Sequence, residues 1–294
     1  MQKALFVYNP ISGQRSISGK LDYAIDMFMK KGILLQPYRI INDVEGRLLS
    51  VIKEEQYDFI VASGGDGTIN SIANLILKNN IDIPLGVIPT GTCNDFARSI
   101  NIPNDFKKCI DIILRGNTAD IDVGLINGEK YFLDTCAAGV FVDVSYNTNN
   151  ELKKNLGPLA YYLKAITELK NIKPMKLKVM ADGEVIENKF LLFLILNGKH
   201  AAGFYNLNNT ADMSDGYIDI MLIKNCPNVD IVGMLINTLK SNLVNNKNVK
   251  IIKARNCEII GDPDIELSVD GERWKGLPIN IQCVHKALKV FVDG

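Results

Sequence analysis

The chain has 294 residues, of which 47% are hydrophobic, so it is long enough for two domains that each have a core. Its 33 basic and 33 acidic residues give a formal net charge of zero. This balance argues against a dedicated nucleic-acid binder, because such proteins usually carry a strong basic excess. Six cysteines without a C-x-x-C pair and only two histidines argue against a disulfide framework, a zinc site and a histidine-based catalytic triad.

Neither the N-terminus nor the apolar runs predict export or membrane insertion. The first residues lack a signal-peptide pattern, and the most apolar stretch, 190–196, is too short to span a bilayer. We therefore expect a soluble, cytoplasmic protein without a transmembrane segment.

The first 120 residues alternate between strand and helix patterns. Strands are predicted at 3–8, 33–40, 58–63 and 85–89, and helices at 18–31, 43–55 and 69–78. Such alternation is typical of a parallel sheet with helices on both faces. The sequence therefore predicts a doubly wound α/β domain over residues 1–122.

Short strands dominate the rest of the chain. Asn127-Gly128 and Asp182-Gly183 are typical hairpin turns, and helices are predicted at 155–172 and 229–243. We expect a mostly antiparallel β-sandwich domain over residues 123–294. Whether the last residues return to the first domain is left open.

Three loops of unusual composition follow strands of the first half. They are NPISG (9–13), GGDGTIN (64–70) and PTGTCND (89–95). Ligands of open α/β sheets bind beyond the carboxyl ends of the strands, where glycine lets the backbone approach and successive N–H groups bind phosphate oxygens. One such loop alone is typical of a helix-capping turn, but three at successive strand ends favour a nucleotide site.

Asp66 lies in the middle of the second loop. A carboxylate among phosphate-binding amides would repel the ligand unless a cation or a hydrogen-bonding partner intervened. Asp66 therefore indicates Mg²⁺ or a positioned hydroxyl. The chain contains neither a Walker motif nor G-x-G-x-x-G, so the commonest nucleotide-binding loops are excluded.

The GGDGT motif resembles the signature of the diacylglycerol and sphingosine kinases, the NAD kinases and, more distantly, the phosphofructokinases. NPISG, GGDGTIN and PTGTCNDFAR in this order, followed by ADMSDGYIDI and SVDGE, resemble the soluble bacterial diacylglycerol kinases over essentially the whole chain. The resemblance implies a nucleotide-binding domain like that of NAD kinases and phosphofructokinases, followed by a β-sandwich. It also implies that the γ-phosphate of ATP is transferred to diacylglycerol to give phosphatidic acid.

The resemblance assigns roles to individual residues. Glu272, in VDGE, would be the catalytic base, and Asp66 would be the second catalytic residue. The ATP-binding residues would be Asn9, Pro10, Ile11, Ser12, Gly13, Gly64, Gly65, Asp66, Gly67, Thr68, Ile69, Asn70 and Thr92.

A Mg²⁺ site in the second half is also implied by the resemblance. Asp215 would supply a carboxylate, while Asp212 and Tyr217 would contribute mainly backbone carbonyls, and such oxygen ligands suit Mg²⁺. We expect this ion to organise the site from a distance.

A separate Mg²⁺ would bridge the phosphates of ATP, and Asp66, Asp95 and Asp122 are the candidates to hold it. Relatives often have a basic residue directly after the glycine of the first loop. This chain has Gln14 there, and whether the following Arg15 replaces the basic residue is left open.

The expected partner is a lipid substrate at a membrane surface, reached by transient peripheral contact. Residues 151–180 contain seven lysines and two glutamates, and 231–257 contain five basic residues and no acid, a pattern that attracts anionic lipid. Another acceptor (a sphingoid base, phosphatidylglycerol, undecaprenol or NAD), a catalytically idle relative and a homodimer all remain open.

Overall fold

The computed structural model describes residues 1–10, 17–40, 46–139, 173–201, 207–239 and 246–294. The predicted helix at 155–172 lies outside these ranges, as do three of the predicted ATP-binding residues, Ile11, Ser12 and Gly13. The chain forms two compact units. The first comprises Met1–Ile121 and Lys286–Gly294, and the second comprises Asp122–His285.

The first unit is built on a parallel sheet. Its strands are β1 (Gln2–Tyr8), β2 (Ile33–Arg39), β3 (Phe59–Gly64) and β4 (Leu85–Pro89), in the order β2-β1-β3-β4. The end of the last strand, β15 (Ile279–Phe291), pairs in parallel with β4. All six residues of β3 are buried, as expected for a strand covered on both faces.

Helices surround this sheet. They are a 3₁₀ turn at Ser18–Lys20, α1 (Leu21–Lys30), α2 (Gly46–Glu54), α3 (Asp66–Lys78), α4 (Asp95–Ser99) and α5 (Phe106–Arg115). The strand–helix alternation confirms the predicted α/β class. Because β1, β3 and β4 are adjacent and parallel, their carboxyl ends lie at one edge of the sheet.

α4 was not predicted from the sequence, and two other helices, α3 and α5, also differ from the prediction. α3 begins at Asp66, three residues before the predicted start, with Gly65 as its N-cap in an extended conformation. Asp66 is therefore the first residue of a helix, where an acid is favoured by the helix dipole. α5 was not predicted, although Asp105 caps it by accepting a 2.9 Å hydrogen bond from the Lys108 amide and Gly116 ends it at φ +80°.

The second unit is rich in antiparallel strands, as predicted. They are β5 (Thr118–Ile126), β6 (Lys130–Phe132), β7 (Thr135–Gly139), β8 (Met175–Ala181), β9 (Glu184–Leu196), β10 (Ile218–Lys224), β11 (Val249–Ala254), β12 (Asn256–Ile260), β13 (Leu267–Val269), β14 (Glu272–Trp274) and β15. The main order is β14-β13-β7-β9-β8-β12-β15. β10 pairs with β9 and β11 with β10, while β5 pairs with β15 and β6 with β5.

Both faces of the central strand β9 are buried over residues 190–196. Phe190, Phe193 and Ile195 pack into the larger hydrophobic cluster. Leu192 and Leu194 pack into a second cluster, which contains residues of α6 (Asn228–Leu239). α6 occupies most of the helix predicted at 229–243. Because the two clusters cover opposite faces of β9, the apolar run at 190–196 is a strand between two cores.

Three hairpin turns have the same backbone conformation. Asn127-Gly128, Asp182-Gly183 and Asp270-Gly271 all have positive φ at both residues, from 43° to 93°. This is the type I′ geometry, which favours Asn or Asp followed by glycine. The two hairpins predicted from the sequence are confirmed, and the third carries Glu272.

Candidate active site

In the first unit, the three glycine-containing loops are joined by hydrogen bonds. Asn9, which follows β1, donates from its amide to the Ser63 carbonyl at 3.0 Å and from Nδ2 to Thr68 Oγ1 at 3.3 Å. Thr90, which follows β4, donates to the Gly64 carbonyl at 2.8 Å. The structure therefore brings the ends of β1, β3 and β4 into one connected edge.

Two glycines of these loops are required by packing within the protein. A Cβ on Gly91 would lie 2.6 Å from the Cα of Gly65, and a Cβ on Gly64 would lie 2.4 Å from Thr68 Cβ. Real Cβ atoms essentially never come so close, so the second and third loops pack backbone against backbone only because glycine is present. Gly67 differs, because a Cβ there would meet nothing within 4 Å.

Asp66 connects the second loop to the third. Its Oδ2 accepts a 2.8 Å hydrogen bond from the Asn94 amide, and Asn94 adopts the left-handed conformation just before α4. Burial raises the pKa of the Asp66 carboxyl, although the amides of Asn94 and Phe96 oppose the rise. Its Oδ1 is buried without a hydrogen-bond partner among the described residues.

The other predicted ATP-binding side chains are not all at the surface of this edge. Thr92 is exposed, but the side chains of Ile69 and Asn70 are buried in α3, and Asn70 Oδ1 accepts a 3.1 Å hydrogen bond from Asn74. The Ile69 amide also makes a hydrogen bond within the protein, since it donates to the Gly65 carbonyl at 3.1 Å. Ile69 and Asn70 therefore support the loop from inside the unit.

Asp95 and Asp122, two of the candidates for the phosphate-bridging ion, are both buried. Asp95 lies 3.8 Å from the guanidinium of Arg98. Asp122 is fully buried, its Oδ2 accepts a 2.6 Å hydrogen bond from the Gly216 amide, and its Oδ1 lies 2.7 Å from His285 Nδ1. Asp122 is thus committed to contacts within the second unit.

The hairpin that carries Glu272 is fixed by Asp270. The carboxylate of Asp270 accepts hydrogen bonds from the amides of Leu133, Asp134 and Thr135 at 2.7–3.0 Å. The Asp270 amide donates back to the Thr135 carbonyl at 2.9 Å. Four hydrogen bonds to one short segment hold the turn rigidly, so the backbone of Glu272 at the start of β14 is fixed.

Glu272 itself is exposed, and its carboxylate is paired with a lysine. Lys130 Nζ lies 3.3 Å from Glu272 Oε2, and Lys130 also lies over the ring of Trp274, 5.9 Å from the ring centroid. An exposed carboxylate at the end of a rigid hairpin can accept a proton from a bound hydroxyl.

The predicted metal-binding turn is held by hydrogen bonds among its own residues. Asp215 Oδ1 accepts from the Tyr217 amide at 3.0 Å, and Asp212 Oδ1 accepts from the amide and hydroxyl of Ser214. The Ser214 hydroxyl lowers the pKa of Asp212. The turn therefore presents carboxylate oxygens, which are the donors that Mg²⁺ prefers.

Lys253 is the cation that the structure places at this turn. Its Nζ donates to Asp215 Oδ2 at 2.5 Å, and it stands directly opposite Asp219 in the β10–β11 pair. Burial by itself would lower the pKa of Lys253, but Asp215 and Asp219 together raise it. Burial also raises the pKa of Asp219, and Lys253 opposes that rise.

The oxygens of this turn fit a divalent cation in chemistry. Asp219 Oδ1 is buried without a hydrogen-bond partner among the described residues, so a cation would satisfy it. However, within the described ranges no three His, Cys, Asp or Glu side chains converge as a metal site. A cation bound to Asp215 would therefore have to share this carboxylate with Lys253.

Several residues of these sites were missed in the sequence. Asp270 and Asn94 had a local signal, because each belongs to a motif that was singled out. Lys130 and Lys253 had none, since they lie 142 and 38 positions from Glu272 and Asp215. Only the pairing of distant strands brings them to these carboxylates.

Family models cover nearly the whole chain. The model described as "Diacylglycerol kinase catalytic domain" matches residues 3–126, and "YegS C-terminal NAD kinase beta sandwich-like domain" matches residues 135–292. The diacylglycerol kinases of Staphylococcus aureus strains MRSA252 and JH9 are each 34% identical to it over 293 residues, which is 99% of this chain and 92% of the relative.

Solved structures show the same fold. A crystal structure of a diacylglycerol kinase from Bacillus anthracis str. Sterne superimposes with a TM-score of 0.79 at 23% identity and covers 99% of this chain and 97% of that chain. A second structure from the same organism gives a TM-score of 0.84 at 24% identity, with the same coverage.

The catalytic-domain model, together with these relatives, defines an enzyme of the lipid kinase class. The chain belongs to the diacylglycerol kinase family, as its motifs predicted. In the part of the chain that the structure covers, no helix has the length and apolar character needed to cross a bilayer.

Proposed function

We propose that this enzyme transfers the γ-phosphate of ATP to the hydroxyl of diacylglycerol and releases phosphatidic acid and ADP. The observation that carries the proposal is the connected edge of the first unit, where loops after β1, β3 and β4 are hydrogen-bonded to one another. These bonds fix the loops at one edge, where their other backbone amides can bind phosphate oxygens. The names of the relatives favour diacylglycerol as the acceptor.

The first unit binds ATP in this proposal. The start of α3 presents N–H groups and the positive end of the helix dipole, and Gly67 leaves open space beside them. Asp66 is a positioning residue, because its carboxylate holds the third loop through the Asn94 amide. Asn9 and Thr68 connect the first loop to the same edge.

Glu272 takes the proton of the acceptor hydroxyl. As the hydroxyl oxygen forms its bond to the γ-phosphorus, the O–H bond breaks, the proton passes to the Glu272 carboxylate and ADP leaves. Asp270 keeps the hairpin in position during this step through its three hydrogen bonds to backbone amides.

Mg²⁺ is the proposed cofactor. When bound at the turn, it would be held by Asp215, Asp212 and the Tyr217 carbonyl, and a Mg²⁺ that accompanies ATP would neutralise charge on the phosphates. Asp219 and Lys253 set the charge around Asp215 whether or not a metal is present.

The enzyme works in the cytoplasm at a membrane surface in this proposal, because its acceptor is a lipid. Two exposed lysines on neighbouring strands support this, since Lys176 of β8 stands opposite Lys189 of β9. Such lysines attract anionic lipid.

A transfer assay tests the proposed function. Purified enzyme is given ATP labelled in its γ-phosphate, Mg²⁺ and vesicles that contain one acceptor each: diacylglycerol, phosphatidylglycerol, a sphingoid base or undecaprenol. NAD is tested in solution. We expect labelled phosphatidic acid as the dominant product. Preferential labelling of another acceptor would reassign the substrate, and no labelling of any acceptor would refute the proposal.

A further inference from the structure

Among the residues that the structure describes, Lys130 is the cation paired with the proposed base. Its Nζ lies 3.3 Å from Glu272 Oε2, and the Lys130 side chain is only 15% exposed, whereas that of Glu272 is 56% exposed. A largely buried ammonium group is unfavourable unless it is paired. Its closest partner is thus the carboxylate that is proposed to take the substrate proton.

The surroundings of Lys130 are also fixed. Lys130 begins β6, and the segment directly after β6, Leu133 to Thr135, is the one that the Asp270 carboxylate holds. The same segment of chain therefore carries the lysine and anchors the hairpin of Glu272. The backbone positions from which the two side chains project are therefore fixed relative to each other.

Trp274 and Lys275 supply an internal comparison. Trp274 follows Glu272 by two residues on β14, so both side chains project from the same face. Lys130 and Lys275 lie 5.9 and 5.8 Å from the centroid of the Trp274 ring. Lys275 is paired with Glu129 at 2.9 Å, so the two lysines share one indole but only Lys130 reaches Glu272.

We propose that Lys130 is a positioning residue for Glu272, an inference that rests on the proposed function. Its ammonium group holds Oε2, which turns Oε1 toward the acceptor hydroxyl before the transfer. The proton of the hydroxyl passes to Oε1, and Lys130 keeps its own protons throughout. Lys130 therefore affects the chemical step and leaves ATP binding unchanged.

The test is a double-mutant cycle with a matched control. Lys130→Met should lower kcat about tenfold or more and change the KM for ATP less than about twofold, because the lost interaction acts on the transition state. Lys130→Arg should recover a large part of the loss. Lys275→Met removes the other lysine from the same indole and should leave kcat unchanged.

The background of Glu272→Gln decides whether Lys130 acts through Glu272. In that background, Lys130→Met should lower kcat by less than about twofold further, because residues that act as a unit are not additive. An equal loss in both backgrounds overturns the inference. So does a higher KM for ATP with unchanged kcat, which would make Lys130 a substrate-binding residue.

Folding and function are separated by two further measurements on the same variants. Trp274 is the only tryptophan of the chain, so its fluorescence and its quenching by acrylamide report whether this hairpin keeps its structure. The free energy of unfolding is also measured for wild type, Lys130→Met, Glu272→Gln and the double variant. If the wild-type enzyme phosphorylates no lipid, the proposed function fails. The unfolding cycle then still tests the Lys130–Glu272 contact, and absence of coupling there overturns the inference.

Discussion

The carboxylate of Asp66 accepts a 2.8 Å hydrogen bond from the amide of Asn94, across 28 positions of the chain. This bond explains why an acid stands among glycines that are suited to phosphate. Asp66 opens α3 and at the same time holds the loop before α4, so the ends of β3 and β4 are fixed to each other. Its charge faces backbone donors within the protein.

Removing the Asp66 carboxylate should lower catalysis strongly without unfolding the chain. We expect Asp66→Ala to reduce kcat by about two orders of magnitude, because small displacements of positioning groups have effects of this size. Asp26→Ala removes an exposed acid of the same unit, paired with Lys30 on α1, and should leave kcat unchanged. The measurements are kcat and Tm. Normal turnover by a folded Asp66→Ala variant would contradict the positioning role.

The same residue should produce a pH-dependent difference in stability. Burial raises the pKa of Asp66 above its ordinary value of 3.8. At a pH between 3.8 and the raised pKa, the folded chain therefore binds more protons than the unfolded chain. The contribution of Asp66 to stability therefore falls as the pH rises through this window. Asp66→Asn keeps an acceptor oxygen for the Asn94 amide and cannot ionise.

We expect the Tm of Asp66→Asn minus the Tm of wild type to become more positive as the pH is raised from about 3.5 to 7. Differential scanning fluorimetry at several pH values measures this difference. A difference that is constant, or that becomes more negative, would show that the environment of Asp66 does not disfavour its charge.

Alanine should lower stability at one glycine of the loops and weaken ATP binding at another. Gly91→Ala would place a Cβ 2.6 Å from Gly65 Cα and should lower the free energy of unfolding by about 1–3 kcal/mol, because the loops must separate. Gly67→Ala has open space and should leave Tm nearly unchanged, but the methyl group should raise the KM for ATP. Denaturant unfolding and ATP titration measure both effects. Equal stability of the two variants would contradict the packing argument.

Glu272→Gln should slow the chemical step and spare nucleotide binding. Glutamine has the same size but cannot take the proton, and loss of a general base typically lowers the rate about 10²–10⁴-fold. Glu266→Gln is the control, because Glu266 is similarly exposed, at 54% against 56%, and lies beside the same hairpin. kcat and ATP affinity are measured for both variants. If Glu266→Gln is slowed as much as Glu272→Gln, the base has been assigned wrongly.

Asp215→Asn should raise the Mg²⁺ concentration needed for full activity. High Mg²⁺ should partly restore the variant, because mass action refills a weakened site. Asp262→Asn is the control, since Asp262 makes the same kind of bond to the amide two residues later, at 3.0 Å, as Asp215 does. Mg²⁺ titrations of kcat and calorimetric Mg²⁺ binding give the result. Unchanged Mg²⁺ binding by Asp215→Asn would remove this turn as a metal site.

The sequence alone determined the class of fold, the family and the loops. Local composition is sufficient for these, because strand and helix periodicities and glycine-rich turns are encoded within a few neighbouring residues. The three loops could also be expected to meet, since parallel strands place their carboxyl ends at one edge. The start of α3 was misplaced because the glycines around Asp66 concealed a helix terminus.

Only the tertiary structure decided what the charged residues of the site contact. The structure shows that Asp66 contacts the Asn94 amide and that Asp122 contacts Gly216 and His285, while a role of either near Mg²⁺ stays a prediction. Lys130 reaches Glu272 through the pairing of strands that are far apart in the chain. Carboxylates and ammonium groups act over a few ångströms of space, and sequence patterns do not report which distant strands bring them that close.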